Sequence, residues 1–418
     1  MKTSWLQLAE HETRDVIAPS TGWGEELWTR YARTGDGLDV EFPSPRTAGT
    51  WRITSRGVVG AFPLRDGGGV RVVPKVPIHN LLRMIEIAED VPTRELEQHV
   101  PVASIEDLFD RLVASLTSRV HRRLRVGLHK SYVQREDRLP YLRGRLDIEQ
   151  QVRRSLHTAF DVQFQETSVD HHDNRVLLAT LRTVARSPLL RSDTRASVRR
   201  ALRALASDVS LISISPGDAV RPPYHRLRTD YLPMHRLCRF LLARSGPTLE
   251  AGSYAATPFL LDMPRLFETF VAKGMSNGFP AGLRLARHVR HRLDPTGRVV
   301  FDADLVLYDV VTGRPRMVLD TKYKDHDAPV ASDVQQVIAY AAALGCHEAA
   351  LVYPTERAFP QMRAGEITVR RFGVPLDGDP VEACMSLAAR VLEVGQAETE
   401  PSNSLRAAWV ATSPATGM

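Results

Sequence analysis

Cysteine is scarce in this 418-residue chain. Its three thiols, Cys238, Cys346 and Cys384, stand too far apart for a zinc-ligand spacing or a disulfide framework, which points to a reducing, cytoplasmic setting. Long apolar runs are missing as well. None approaches the roughly 20 residues that would span a bilayer, and the opening MKTSWLQLAEHETRD holds no signal-peptide core, so no membrane partner is expected. There is no GxxxxGK[ST] phosphate loop, so the chain is not expected to bind or hydrolyse nucleotide by itself. Nor does charge of one sign dominate. A net charge of +6 over this length permits a polyanionic partner without specifying one. The apolar share of 43% and the charged share of 25% are those of a globular protein, and the length suits two or three domains.

What the sequence does have is a charged hairpin between residues 301 and 322. Phe301, Ala303, Leu305 and Leu307 alternate with period two, which puts Asp302 and Asp304 on the opposite face of a strand. Thr312-Gly313-Arg314-Pro315 is turn chemistry, so the run from Met317 should fold back as a second strand. Asp320 and Lys322 would project from one face of that strand. Two carboxylates and a lysine would then meet at the ends of neighbouring strands. Such a set suits phosphodiester cleavage assisted by Mg²⁺, which takes few protein carboxylates and keeps water and phosphate oxygens in its other positions. Asp304 and Asp320 would be ligands, and Lys322 would orient the water or the phosphate. Gln336 and Tyr340 follow on one face of a helix, with Asp333 three residues before Gln336. Val334, Val337, Ile338 and Ala341 would pack that helix on the sheet. An exposed hairpin with solvated charges is the plainer reading of Asp-x-Lys alone; hairpin, spacing and the Gln/Tyr helix together favour a site.

Read in order, residues 1–95 form a β-rich module: a short helix near Trp23 and Trp28, a Gly35-Asp36-Gly37 turn, strand patterns from Trp51, and helical periodicity over 78–88. Residues 96–250 read as mainly helical. Ser104 opens a helix with Asp107 three residues on, and Ile105, Leu108, Leu112, Leu116, Val120 and Leu124 form its apolar stripe up to Gly127. Arg119, Arg122, Arg123 and Arg125 suit a helix C-terminus at least as well as a nucleic acid. The stretch 127–154 is extended and then helical, and further helices are expected over 175–185, 195–206 and 231–242. His171-His172 invites a metal reading, but adjacent imidazoles on a turn point apart and no partner pair stands at ligand spacing, so a polar loop is expected. A small-residue linker at 251–257 leads to a helix with Leu266, Phe267, Phe270 and Val271 inward and Glu268 at the edge of the stripe. Arg284, Arg287, Arg290 and Arg292 precede the hairpin and could track phosphates of DNA. Residues 396–418 read as a disordered tail.

The pattern Ala303-Asp304…Asp320-Thr321-Lys322, followed by Gln336-xxx-Tyr340, resembles the PD-(D/E)xK nuclease core in its RecB-like branch. Ala303 stands where proline is usual, and that proline ligates nothing. In RecB-like nucleases a glutamate on the first core helix can join the metal site, which nominates Glu268. Longer segments, in order, extend the likeness over roughly residues 50–375: VVGAFPLRDGGGVRVVPKVPIHNLLRMIEIA, GLHKSYVQREDRLPYLRGRLDI, DMPRLFETFVA and DVQQVIAYAAALG…ALVYP. Together they resemble the McrC family, the nuclease subunits of McrBC restriction systems for modified cytosine.

The resemblance implies a mixed α+β and α/β multidomain chain. A β-rich partner-binding module (1–95) and a mainly helical middle (96–250) would precede a restriction-endonuclease-like nuclease domain (251–395). It implies a Mg²⁺-dependent endonuclease with Asp304, Asp320, Lys322, Gln336 and Tyr340 in catalytic roles. Its substrate would be double-stranded DNA with modified cytosine, and its partner an McrB-like AAA+ GTPase ring that it stimulates. Two other readings remain: a non-catalytic activator or scaffold of an AAA+ NTPase ring, and a RecB-like repair nuclease with another motor.

Overall fold

The computed structural model describes residues 5–32, 37–91, 103–153, 158–245, 257–324 and 329–397. The Gly35-Asp36 turn, the linker before Thr257 and the tail beyond Ala397 lie outside the described residues. The chain packs as two compact units, Met1–Ile78 with Glu89–Leu261, and His79–Ala88 with Asp262–Met418.

In the first unit, Trp5–Ala9, Gly69–Val73, Val58–Pro63 and Phe259–Asp262 form a four-stranded sheet in that order. A three-stranded sheet sets Trp51–Ser55 between Thr13–Val16 and Leu38–Glu41. Trp51, Ile53 and Ser55 are buried while Arg52 and Thr54 are not, so the period-two pattern does form a one-sided strand. Trp23, Leu27 and Tyr31, from a short α turn and the π turn after it, join Leu8, Ile53, Phe62 and Val72 in one apolar core. The tryptophan Trp23 is thus a core residue. The long helix Ile105–Val126 begins where its cap is written: Ser104 Oγ accepts the Asp107 N–H at 3.1 Å. Its Asp110 is buried and accepts from Thr194 Oγ1 at 3.0 Å and Arg191 N at 2.8 Å, tying it to the helix Ser192–Ala206.

The middle of the chain is less helical than its periodicity implies. Ser131–Leu139 pairs antiparallel with Phe160–Ser168, from Ser131 opposite Ser168 to Leu139 opposite Phe160, and Arg145–Leu146 adds a third short strand. Ser131–Leu139 and the short helix Ile148–Val152 fall in the stretch expected to be extended and then helical, whereas Phe160–Ser168 was not expected as a strand.

The second unit contains, in chain order, α1 (Ile78–Glu89), α2 (Met263–Ser276), β1 (Leu283–Arg292), β2 (Val300–Asp309), β3 (Pro315–Thr321), α3 (Ala331–Leu344), β4 (Glu348–Tyr353), β5 (Met362–Ala364), β6 (Ile367–Gly373) and α4 (Pro380–Ala397). Its sheet runs β1-β2-β3-β4-β6-β5. The first three strands are antiparallel neighbours; β3, β4 and β6 are parallel. A parallel step needs a crossover, which α3 supplies between β3 and β4. Every residue of β4 is buried, as a central strand covered on both faces should be. Val337 and Ala341 of α3 meet Ala303, Val306, Val318, Leu351 and Val369 of the sheet. Helix α1 comes from the N-terminal part of the sequence, yet Asn80 Nδ2 donates to the Leu376 carbonyl at 2.8 Å, a buried bond inside this unit. The sequence placed α1 with the β-rich module because periodicity reports a buried face, not what covers it.

Gly60 marks a close strand approach in the first unit. Its φ is +148°, and a Cβ there would lie 2.0 Å from the Phe259 carbonyl oxygen. Gly60→Ala should therefore lower stability by about 2–3 kcal/mol, against about 1 kcal/mol for Gly49→Ala, where only the left-handed backbone is opposed. Urea midpoints of the two variants beside wild type check this; equal midpoints would show that the backbone contact yields easily.

Candidate active site

The site begins where β2 and β3 stop pairing. Leu305 opposite Leu319 is the last registered pair, which sets Asp304 and Asp320 side by side one step further on. Asp304 Oδ2 accepts from the Thr321 backbone N at 2.9 Å and from its Oγ1 at 3.1 Å. Asp320 is completely buried, with Oδ2 2.7 Å from Lys322 Nζ. Lys322 Nζ also donates to Gln336 Oε1 at 2.9 Å, and Gln336 Nε2 donates to the Tyr340 hydroxyl at 2.8 Å. The Tyr340 ring meets Phe301 edge-on, with centroids 5.2 Å apart. Hence the structure links Asp320, Lys322, Gln336 and Tyr340 in one polar chain. Asp333, in the first turn of α3, lies 4.0 Å from Lys322 Nζ and 3.4 Å from Lys324 Nζ.

Glu268 approaches from α2. Its Oε1 is 3.3 Å from His288 Nε2 and 3.8 Å from an Arg287 nitrogen. Glu268, His288, Asp304 and Thr321 line one cleft of ≈370 Å³ with Asp262, Pro264 and Arg265. Burial pushes the Asp320 carboxyl up to about 7, and the charge of Asp304 adds to the rise; Lys322 pulls the other way and offsets it only in part. Burial likewise opposes the charge on Lys322, but the ion pair with Asp320 outweighs it and leaves the ammonium above its ordinary range. Glu268 is raised by burial and by Asp304, against His288, Arg287 and Arg265. A divalent cation fits this donor set. Asp320 Oδ1 and Glu268 Oε1 are buried without a well-aligned donor, and both groups are raised partly by repulsion from Asp304. Oxygen-only donors suit a hard ion such as Mg²⁺.

His288 and Thr321 have no signal in the sequence. His288 sits inside β1 with φ +48°, a left-handed conformation costing a non-glycine residue about 1–2 kcal/mol. Thr321 is only the variable residue of Asp-x-Lys. The four arginines expected to track phosphates divide instead of forming one surface. Arg287 turns to α2, donating to Thr269 Oγ1 at 2.9 Å. Arg284 lies over the Tyr308 ring at 5.3 Å, and Arg290 is 3.6 Å from Asp302 Oδ2. Arg292 is exposed on the same strand.

His171 does find an imidazole partner, from 42 residues upstream. His129 and His171 have ring centroids 5.2 Å apart, and their nitrogens converge with an Asp173 carboxylate oxygen within 4.8 Å. However, Arg228 lies 3.2 Å from Asp173 Oδ2, and the Arg123 charge also acts on His129, whose pKa is lowered chiefly by burial. Two guanidinium groups occupy the electrostatic place a cation would need. Asn174 donates to the His129 and Val169 carbonyls from inside the helix His172–Val184.

Asp320 has a direct stability consequence in metal-free protein. Its folded pKa stands above the ordinary 3.8, so the native state holds the extra proton between about pH 4 and 7, and its contribution falls as pH rises through that window. Asp320→Asn should gain on the order of 1–3 kcal/mol over wild type at about pH 7.5 and nothing at about pH 4, and Mg²⁺ should narrow the gap. Denaturant titrations at both pH values check this; a gain that does not depend on pH would contradict it.

A family model described as McrBC 5-methylcytosine restriction system component matches residues 53–354. No curated protein matches. Among solved structures, a half-complex of Thermococcus gammatolerans McrB AAA+ hexamers with bound McrC holds a chain of similar fold. Its TM-score is 0.61 at 16% identity, over 93% of this chain and 100% of that one. The cryo-EM structure of the Thermococcus gammatolerans McrBC complex gives 0.46 at 19% identity, over 66% of this chain and 88% of that one. Matched over more than half its length, the chain belongs to the McrBC 5-methylcytosine restriction system component family.

Proposed function

We propose that this chain is the McrC-like endonuclease subunit of a modification-dependent restriction system, cutting double-stranded DNA with modified cytosine alongside an McrB-like AAA+ GTPase ring that it stimulates. The observation that carries the reading is the junction of β2 and β3: paired carboxylates at one end of the strands, with Lys322 fixed between Asp320 and Gln336. We read the second unit as a PD-(D/E)xK core, which suits its three antiparallel strands, helical crossover and parallel continuation. Asp304, Asp320 and Glu268 would hold Mg²⁺, which supplies Lewis-acid stabilisation of the phosphoryl group. Lys322 keeps its ammonium directed beside the carboxylates, where it stabilises negative charge developing on the scissile phosphate. Gln336 fixes Lys322, and Tyr340 fixes Gln336. Thr321 holds Asp304 from two directions.

The family and the Thermococcus half-complex with bound McrC support the ring as partner. The first unit also exposes Tyr132, Tyr141, Leu142, Ile148 and Val152, each more than half exposed. Apolar side chains gathered in one stretch of sequence suit a protein-binding surface. We place the ring-facing surface in this unit. A pure activator would have no use for a buried, poorly compensated Asp320, which favours the enzyme over the scaffold.

Asp304→Ala or Asp320→Ala should abolish Mg²⁺-dependent cleavage of modified DNA, measured with the motor partner, while GTP turnover by the ring stays at the wild-type level. Retained cutting by either variant would rule out the site. Lys322→Ala should slow cleavage by about 10²–10³-fold, and Gln336→Ala by less, because it acts through the lysine. Leu142→Glu should show the opposite split, losing GTPase stimulation with the cleavage residues intact. If GTP turnover with Leu142→Glu stays normal, the ring contacts another surface.

A further inference from the structure

His288 belongs to the site by geometry. The register pairs Arg287 with Leu305 and Val289 with Ala303, so His288 lies opposite Asp304. Asp304 in turn lies beside Asp320 across β3. His288, Asp304 and Asp320 therefore form a row across three strands. Within that row His288 adopts φ +48°, in the middle of a strand that is otherwise regular. A strained backbone persists where the surroundings over-determine it, and such residues gather at functional sites. The imidazole faces Glu268, with Nε2 3.3 Å from a carboxylate oxygen that is buried and lacks a well-aligned donor. Arg287 stands 3.8 Å from that carboxylate with its guanidinium already anchored on Thr269 Oγ1, and the charge of Arg265 reaches it too. The imidazole itself remains 57% exposed in the cleft that Asp304 and Glu268 line, so nothing about packing explains its strain.

We propose that His288 is a positioning residue for the cation site: through Nε2 it holds the Glu268 carboxylate toward Asp304, completing a third carboxylate ligand. This rests on the cation site proposed above. An imidazole hydrogen-bonded to a ligating carboxylate fixes its orientation, and losing such a support typically lowers metal affinity about 10–100-fold.

The test uses the full-length protein and Mn²⁺ as the probe, with binding followed by the loss of the free-ion spin-resonance signal. His288→Gly accepts φ +48° without strain but removes the imidazole. It should weaken Mn²⁺ binding at least about tenfold while its thermal midpoint holds or rises. His288→Gln, whose amide nitrogen can stand near the place of Nε2, should recover most of the affinity. In cleavage assays with the partner, His288→Gly should raise the Mg²⁺ concentration needed for half-maximal rate, with the rate largely restored at saturation. Wild-type Mn²⁺ affinity in His288→Gly overturns the proposal, provided Asp320→Asn has lost binding. A fall in affinity and midpoint together, without rescue by Gln, overturns it too, since the role would then be structural. If Asp320→Asn itself binds Mn²⁺ normally, the cation site fails, and this proposal with it.

Discussion

Asp320 is held in a dry sheet beside a second carboxylate, and the repulsion between the two has to be offset by something positive. Lys322 provides part of that offset at 2.7 Å. It is itself held by Gln336, and Gln336 by Tyr340, so the α3 crossover contributes to holding the charge in place. The remaining imbalance supports the proposed cation site. Carboxylate oxygens that are buried without donors gain more from a bound dication than exposed ones do, because the low dielectric that makes them costly strengthens the attraction.

The change in sheet character at β3 makes this arrangement available. Antiparallel pairing with β2 ends at Leu305 and Leu319, whereas parallel pairing with β4 continues through Thr321, and Lys322 N still donates to the Val352 carbonyl at 2.8 Å. One side of β3 is therefore pinned while the other is released. The released side carries Asp304 and Asp320, and Thr321 closes onto Asp304. Charge at a frayed pair of strands would scatter; here the pinned side keeps it aligned.

The local parts of this account were legible in the sequence, and the non-local parts were not. Period-two alternation located β2 and put Asp304 on its polar face, and the 312–315 turn gave the return strand with Asp320 and Lys322. Helical spacing put Gln336 and Tyr340 on one face, where they do bond to each other. The Ser104 cap and the apolar stripe of Ile105–Val126 were equally plain. By contrast, His129 meets His171 across 42 residues, and Asn80 reaches Leu376 across 296. No short window contains either pair. The stretch holding Ser131–Leu139 was legible as extended, whereas its partner strand Phe160–Ser168 was not, because the pairing joins separate parts of the chain. The four arginines of β1 were read as one basic stripe, yet successive residues of a strand face opposite ways, so Arg287 parts from Arg284 and Arg290. The left-handed turn of His288 had no residue-type signal, since histidine adopts it far less often than glycine.

The central claim is that the carboxylates gathered at β2, β3 and α2 form one cation site. Anomalous diffraction from crystals soaked in Mn²⁺ tests it most directly. The prediction is a peak among Asp304, Asp320 and Glu268, whose carboxylates would hold a small oxygen-ligated dication. A well-ordered crystal with no density there, or with the ion bound only elsewhere on the chain, would contradict it.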